Sequence, residues 1–160
     1  MISFLEGKLA EVLPTQVVVD VNGIGYEMLI PLSSFDKLPQ PGSQVKLLTH
    51  LAVRDDAHVL YGFMTEIERD LFRLLIRHVS GIGPKIALNV LSGTSPASFR
   101  VAVANGDVKV LSGISGVGKK TAERIVVELK DKLGDESAFD SANGTPISED
   151  EQKVSDAASA

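Results

Sequence analysis

The sequence predicts a small β barrel followed by an all-α domain, and three observations predict it. The first 63 residues hold short, β-branched-rich runs that partly alternate apolar and polar positions. Near Met64 the apolar period changes from two to that of a helix. Beyond that point one phrase is written twice, as "SGIGPKIALNV" at Ser80–Val90 and "SGVGKKTAERI" at Ser115–Ile125, with an offset of 35 residues.

The β portion reads as five strands: "ISFLEGKLAEV", with Gly7 as a bend or bulge, then "TQVVVDV", "GYEMLI", "SQVKLLTHLAV" and "HVLYGF". Turn signals separate them at Leu13-Pro14, at Val21-Asn22-Gly23 and at Leu38-Pro39-Gln40-Pro41-Gly42. Five short strands in about sixty residues fit a Greek-key barrel of the oligonucleotide-binding type. Residues 1–63 are expected to form that domain.

The helical portion is expected to span residues 64–133. Thr65 is placed to cap a first helix, with Glu66 and Glu68 in the favoured first turn. Ile67, Leu71, Leu74, Leu75 and Val79 recur at helical spacing. A second helix is expected from Pro84 to Leu91, since Pro suits the first helical position. Thr94 or Ser95 caps a third, "PASFRVAVAN", which Gly106 ends. "DVKVLSG" reads as a short turn. A last helix runs from about Gly118 to Leu133, with Gly134 as its stop. Residues 134–160 are polar and acidic, and are expected to be a disordered linker or tail.

Composition narrows the function. The chain of 160 residues has no Cys, which excludes a disulfide framework and thiolate metal ligands. His50, His58 and His78 are scattered without ligand spacing, so no metal and no cofactor is expected. The start "MISFLEGKLA" carries no secretion signal, and no apolar run approaches membrane-spanning length. A cytoplasmic protein without a membrane partner is the expectation. The formal net charge is −5, but its distribution matters more. Residues 1–63 hold four basic and seven acidic side chains, for −3. Residues 64–133 hold eleven and seven, for +4, and residues 134–160 hold one and seven, for −6. The repeated phrase lies in the one basic segment.

Each copy of the phrase places Gly-aliphatic-Gly between two helical stretches. Glycines permit positive φ and let a ligand backbone approach the main chain. Turn amides and the N-terminus of the next helix attract anions, and Lys85, Lys119 and Lys120 add positive charge. Ile82 and Val117 are expected to plug back between the helices. "GISGVGK" from Gly113 to Lys119 also satisfies G-x-x-x-x-G-K, but Lys120 stands where a nucleotide P-loop needs Ser or Thr. A convincing strand before the motif is missing as well. The helix-hairpin-helix, a phosphate clamp that ignores base sequence, accounts for the lysines and for the duplication. Paired hairpins grip both strands of a duplex across its minor groove.

The chain resembles the RuvA family of bacterial Holliday-junction recognition proteins. The resemblance rests on "MISFLEGKLAEV", "VNGIGYEM", "THLAVRDDAHVLYGF" and "GVGKKTAERIVVELKD", and runs from Met1 to about Leu133. It implies a homotetramer, with an octamer on DNA as a further possibility, that holds a four-way junction open. It implies a RuvB-type ATPase motor as partner and no catalytic site in this chain. Family members carry a third helical domain that contacts the motor. Residues 134–160 lack an apolar pattern long enough for it, so a truncated form is expected. The expected DNA-binding residues are Gly81, Ile82, Gly83 and Lys85 in the first copy, and Gly116, Val117, Gly118, Lys119, Lys120, Thr121 and Arg124 in the second. Arg54 joins them from the barrel.

Asp55 and Asp56 admit three readings. Adjacent acids fit a solvated hairpin tip, and they also fit part of a nuclease metal site. The resemblance implies a third role, an acidic pin near the junction centre that repels phosphates and helps to separate strands. Two rival functions also stand at this level: a helix-hairpin-helix glycosylase or nuclease, and a ribosome-associated RNA binder. Aromatic residues make up only 5% of the chain, which leaves little for base stacking in a lesion pocket.

Overall fold

The computed structural model describes residues 1–133. Five strands form a closed barrel in the order β1-β2-β3-β5-β4. They are β1 (Phe4–Leu13), β2 (Gln16–Val21), β3 (Ile24–Leu29), β4 (Gln44–Val53) and β5 (His58–Phe63). The expected barrel of the oligonucleotide-binding type is what forms.

The β2–β3 connection follows directly from its two residues. Asn22 (φ 54°) and Gly23 (φ 92°) both occupy positive φ, the requirement of a type I′ hairpin turn. Asp20 Oδ1 accepts the Gly23 amide at 2.8 Å and Val21 faces Ile24 across the turn. Strand β1 closes the barrel because it is long enough to serve two neighbours. It pairs with β4 over Phe4–Lys8 and with β2 over Lys8–Leu13. The register slips between Leu9 and Glu11, so the bulge lies at Ala10 and not at Gly7 as the sequence suggested. Gly7 instead permits a close approach of two strands, because a Cβ there would stand 2.3 Å from the Asp20 carbonyl oxygen. Leu9, Val17, Val19, Met28, Ile30, Val45 and Leu47 fill the interior.

A short helix missed in the sequence, α1 (Leu32–Phe35), follows β3. The other helices are α2 (Glu66–His78), α3 (Pro84–Gly93), α4 (Pro96–Ala104), α5 (Val108–Ser112) and α6 (Lys119–Leu133). Thr65 caps α2 as expected, accepting the Glu68 amide, and Ser95 caps α4 by accepting the Ser98 amide. Gly106 (φ 64°) ends α4 in a Schellman arrangement: its amide bonds Val103 O, and the Asp107 amide bonds Ala102 O. "DVKVLSG" forms helix α5 where a turn was expected, because the Asp107 carboxylate caps the Val110 amide and nucleates it. Helix α6 reaches Leu133. The expected stop at Gly134 and the expected tail at 134–160 lie outside the described residues.

One apolar cluster crosses from the last barrel strand into the helices. Tyr61 and Phe63 share it with Leu71, Phe72, Leu75 and the buried faces of α3 to α6. The rings of Phe63 and Phe72 lie 4.9 Å apart. Beside this contact, fully buried Glu68 ties α2 to α1. Its carboxylate accepts hydrogen bonds from Ser33 (2.8 Å), Ser34, Lys37 (2.8 Å) and Thr65 (2.8 Å). Ser34 Oγ in turn accepts the Met64 amide, and Ser92 Oγ of α3 accepts the Leu32 amide. Helix α1 is thus the bracket that fixes the barrel against the first hairpin.

Candidate nucleic-acid interface

The two copies of the repeated phrase fold into the same turn. α2 and α3 flank the first turn, and α5 and α6 flank the second. Every main feature recurs at an offset of 35. Gly81 has φ 92° and Gly116 has φ 84°. The Ile82 amide bonds Val79 O, and the Val117 amide bonds Ile114 O. The Ala87 amide bonds Gly83 O, and the Ala122 amide bonds Gly118 O. Ile82 and Val117 are 5% and 4% exposed, which makes them the plugs the sequence suggested. Burying each contributes about 1.5–3 kcal/mol.

These details sharpen the expected site. The amides of Ile82 and Val117 are already used within the turns and their side chains are buried, so neither faces a ligand. The candidate donors lie instead at the start of the next helix. In α3 the first intrahelical bond is made by Ala87, so the amides of Lys85 and Ile86 precede it. In α6 the first is made by Ala122, and the amides of Lys119, Lys120 and Thr121 precede it. Gly83, at the N-cap of α3, has no side chain to occupy these donors.

Only the first glycine of each pair uses its conformational freedom. Gly83 has φ −95°, ψ −178°, extended backbone open to any residue. A Cβ on Gly83 or Gly118 would meet no protein atom within 4 Å. The second glycines therefore clear space above the helix N-termini rather than inside the fold. Lys85, Lys119 and Lys120 are exposed around that space. The combination of an uncapped helix start, a bare backbone and adjacent lysines suits a phosphate.

The two turns are also interlocked. A Cβ on Gly81 would lie 3.2 Å from Arg124 Nη1, and one on Gly116 would lie 3.2 Å from Asn89 Nδ2. Asn89 and Arg124 are themselves 35 residues apart. Each hairpin's second helix thus reaches the other hairpin's first glycine. Asn89 escaped the sequence reading, though the repeat offset applied to Arg124 points straight to it.

Arg54, Asp55 and Asp56 sit apart from the turns, at the tip of the β4–β5 hairpin, where the Arg54 amide bonds Ala57 O at 2.8 Å. All three are exposed. Burial raises the Tyr61 hydroxyl above its ordinary pKa, and the charge of Arg54 partly offsets this. Among the described residues no three acidic, His or Cys groups gather as metal ligands, so Asp55 and Asp56 find no third ligand in the described chain. None of the described helices is long and apolar enough to cross a membrane.

Residues 1–62 match the family model described as RuvA N terminal domain. Across 156 residues the chain is 51% identical to the "Holliday junction branch migration complex subunit RuvA" of Chromobacterium violaceum, covering 98% of this chain and 79% of that protein. The chain belongs to the RuvA family. Another RuvA protein of the same name, from Dechloromonas aromatica, is 56% identical over 135 residues, 84% of this chain and 70% of that one. The RuvA of Symbiobacterium thermophilum is 52% identical over 134 residues, 84% of this chain and 65% of its own. The helical half matches a second model, SAM-like Helix-hairpin-helix tandem, over residues 72–131. The two family models thus cover the barrel and the helices in turn, while the similarity to the RuvA proteins runs through both.

Proposed function

We propose that this chain binds four-way junction DNA and holds it open for branch migration driven by a RuvB-type ATPase motor. The observation that carries the reading is the pair of equivalent turns, each presenting uncapped helix amides, a bare glycine and at least one lysine. Such turns hold phosphates without reading bases, which is what a protein needs when its target is a DNA shape. The names of its relatives favour this over a glycosylase or nuclease. The chain acts as a specificity subunit without chemistry of its own, in the cytoplasm, as a homotetramer that places four such pairs around the junction.

In this reading the barrel, residues 1–63, presents Asp55 and Asp56 as the repulsive pin, with Arg54 beside them. The helical domain, residues 64–133, grips the arms through Gly81, Gly83, Lys85, Gly116, Gly118, Lys119, Lys120, Thr121 and Arg124. A gel-shift comparison of a four-way junction with linear duplex of equal length tests it. Preferential retention of the junction, without strand cleavage or base release, is expected. Equal affinity for both shapes, or better competition by duplex RNA, overturns it.

A further inference from the structure

Helix α2 carries Arg69, Arg73 and Arg77 at i, i+4 and i+8, one above another on a single face. Like charges at that spacing destabilise an isolated helix. The described acids do little to compensate them. Arg69 pairs with Asp70 at 3.1 Å, while Glu68 is committed to α1. Arg73 is the least settled of the three. Its Nη2 donates to the Thr49 carbonyl at 3.3 Å, and its Nε is shielded from solvent with no hydrogen-bond partner. Burial first, and then repulsion from Arg69 and Arg77, lower its proton affinity, with Asp70 opposing. His50, on β4 beside Thr49, feels the same field: burial, then Arg73 and Arg77, lower its pKa.

The position of this ladder is as informative as its charge. At its C-terminal end α2 runs directly into the first hairpin turn, so Arg77 lies four residues from Gly81. Through Thr49 the ladder touches β4, the strand that ends beside Arg54 at the acidic hairpin tip. Thr49, four residues before Val53 at the tip, pairs with Gly62, so the ladder starts at the first hairpin and lies against the strand that leads towards the pin. Eight residues of helix span about 12 Å, the axial length of three to four phosphates on one strand.

We propose that Arg69, Arg73 and Arg77 form a further phosphate-binding track, which guides one DNA strand between the first hairpin and the pin. The inference rests on the junction-binding reading. DNA phosphates are the partner of choice because the track is continuous with the hairpin and supplies the anions that the helix lacks.

The test is a salt titration of junction binding by the whole chain and its Arg77→Gln, Arg77→Lys and triple Arg→Gln variants, with mass measured by sedimentation. The exposed Arg77 is used alone because its loss does not disturb the core. Each lost phosphate contact makes the fall in affinity between 50 and 200 mM salt about 3.5-fold smaller. Arg77→Gln should show that change, Arg77→Lys should not, and the triple variant should show about a 40-fold change if each arginine holds one phosphate. An unchanged salt dependence in folded variants overturns the track. So does a drop in mass without a change in slope, which makes the ladder a contact between copies of the chain. Failure of the parent to prefer the junction removes the functional reading itself, and is told apart because it precedes any substitution.

Discussion

Arg124 Nη1, on the helix that follows the second hairpin, donates to the Ser80 carbonyl of the first at 3.4 Å. The bond is long and exposed, so it orients more than it stabilises. It sets a guanidinium beside Gly81, at the seam between the two hairpin turns. Arg124→Ala should leave the melting temperature nearly unchanged, since exposed substitutions cost about 0.5 kcal/mol or less. DNA affinity should nonetheless fall. A thermal melt beside a gel shift checks both, and a large loss of stability with intact binding contradicts the assignment.

Lys119 and Lys120 are exposed beside the second turn, and the proposed function has them supply affinity without reading sequence. Lys119→Ala with Lys120→Ala should weaken binding to junction and duplex alike. The log–log salt slope should become shallower by roughly 0.9 for each phosphate released. An unaltered slope in a folded double variant takes these lysines out of the contact.

The two glycines of a hairpin should respond oppositely to substitution. Gly116→Ala forces a side chain into φ 84°, against Asn89 at 3.2 Å, and should cost about 1–3 kcal/mol of stability. A Cβ added at Gly118 meets no protein atom within 4 Å, so Gly118→Val should still fold while its branched side chain fills the space proposed for the phosphate. Chemical denaturation and DNA titration of the two variants separate the roles. Equal destabilisation by both substitutions contradicts the division.

At the hairpin tip, changing Asp55 and Asp56 to Asn preserves size and removes two charges. A repulsive pin predicts junction binding at least as tight as the parent's and poorer discrimination against duplex, because the like-charge penalty is gone. A metal site predicts instead magnesium-dependent cleavage that the variant loses. Measuring both DNA shapes with and without magnesium distinguishes them, and weaker junction binding by a folded variant sinks the pin.

Glu68 provides a pH test of the bracket between barrel and helices. Burial alone would raise its pKa, but hydrogen bonds from Lys37, Ser34, Ser33 and Thr65 prevail and hold it below the ordinary 4.5. A carboxyl lowered in the fold contributes stability that is complete above its unfolded pKa and is lost as pH falls through the folded one. Glu68→Gln should therefore be less stable than the parent at pH 7, by about 2–4 kcal/mol. The gap should narrow below about pH 4.5. A gap that is constant with pH rules out the ionised carboxylate as its source.

Much of this protein was legible in local sequence, because short-range physics writes local signals. The Asn22-Gly23 turn, the caps at Thr65 and Ser95 and the stop at Gly106 depend on residues within a few positions of one another. The hairpin duplication was visible because both copies use the same backbone chemistry, and the plugs at Ile82 and Val117 followed from an aliphatic residue set between glycines. The RuvA resemblance was likewise carried by contiguous stretches. Tertiary structure decided the rest, where partners lie far apart along the chain. Gly7 looked like a bend until Asp20, thirteen residues on, showed a close approach of two strands. Glu68 looked like a first-turn acid until α1, a helix too short to announce itself, and the turn after it delivered Ser33, Ser34 and Lys37 to it. Which glycine of each hairpin leaves no room for a side chain, and which merely keeps space open, depended on the backbone φ and on Asn89 and Arg124 reaching across from opposite repeats. Periodicity and capping reveal what a segment prefers, but only the packed chain fixes which distant atom fills the space a missing side chain leaves.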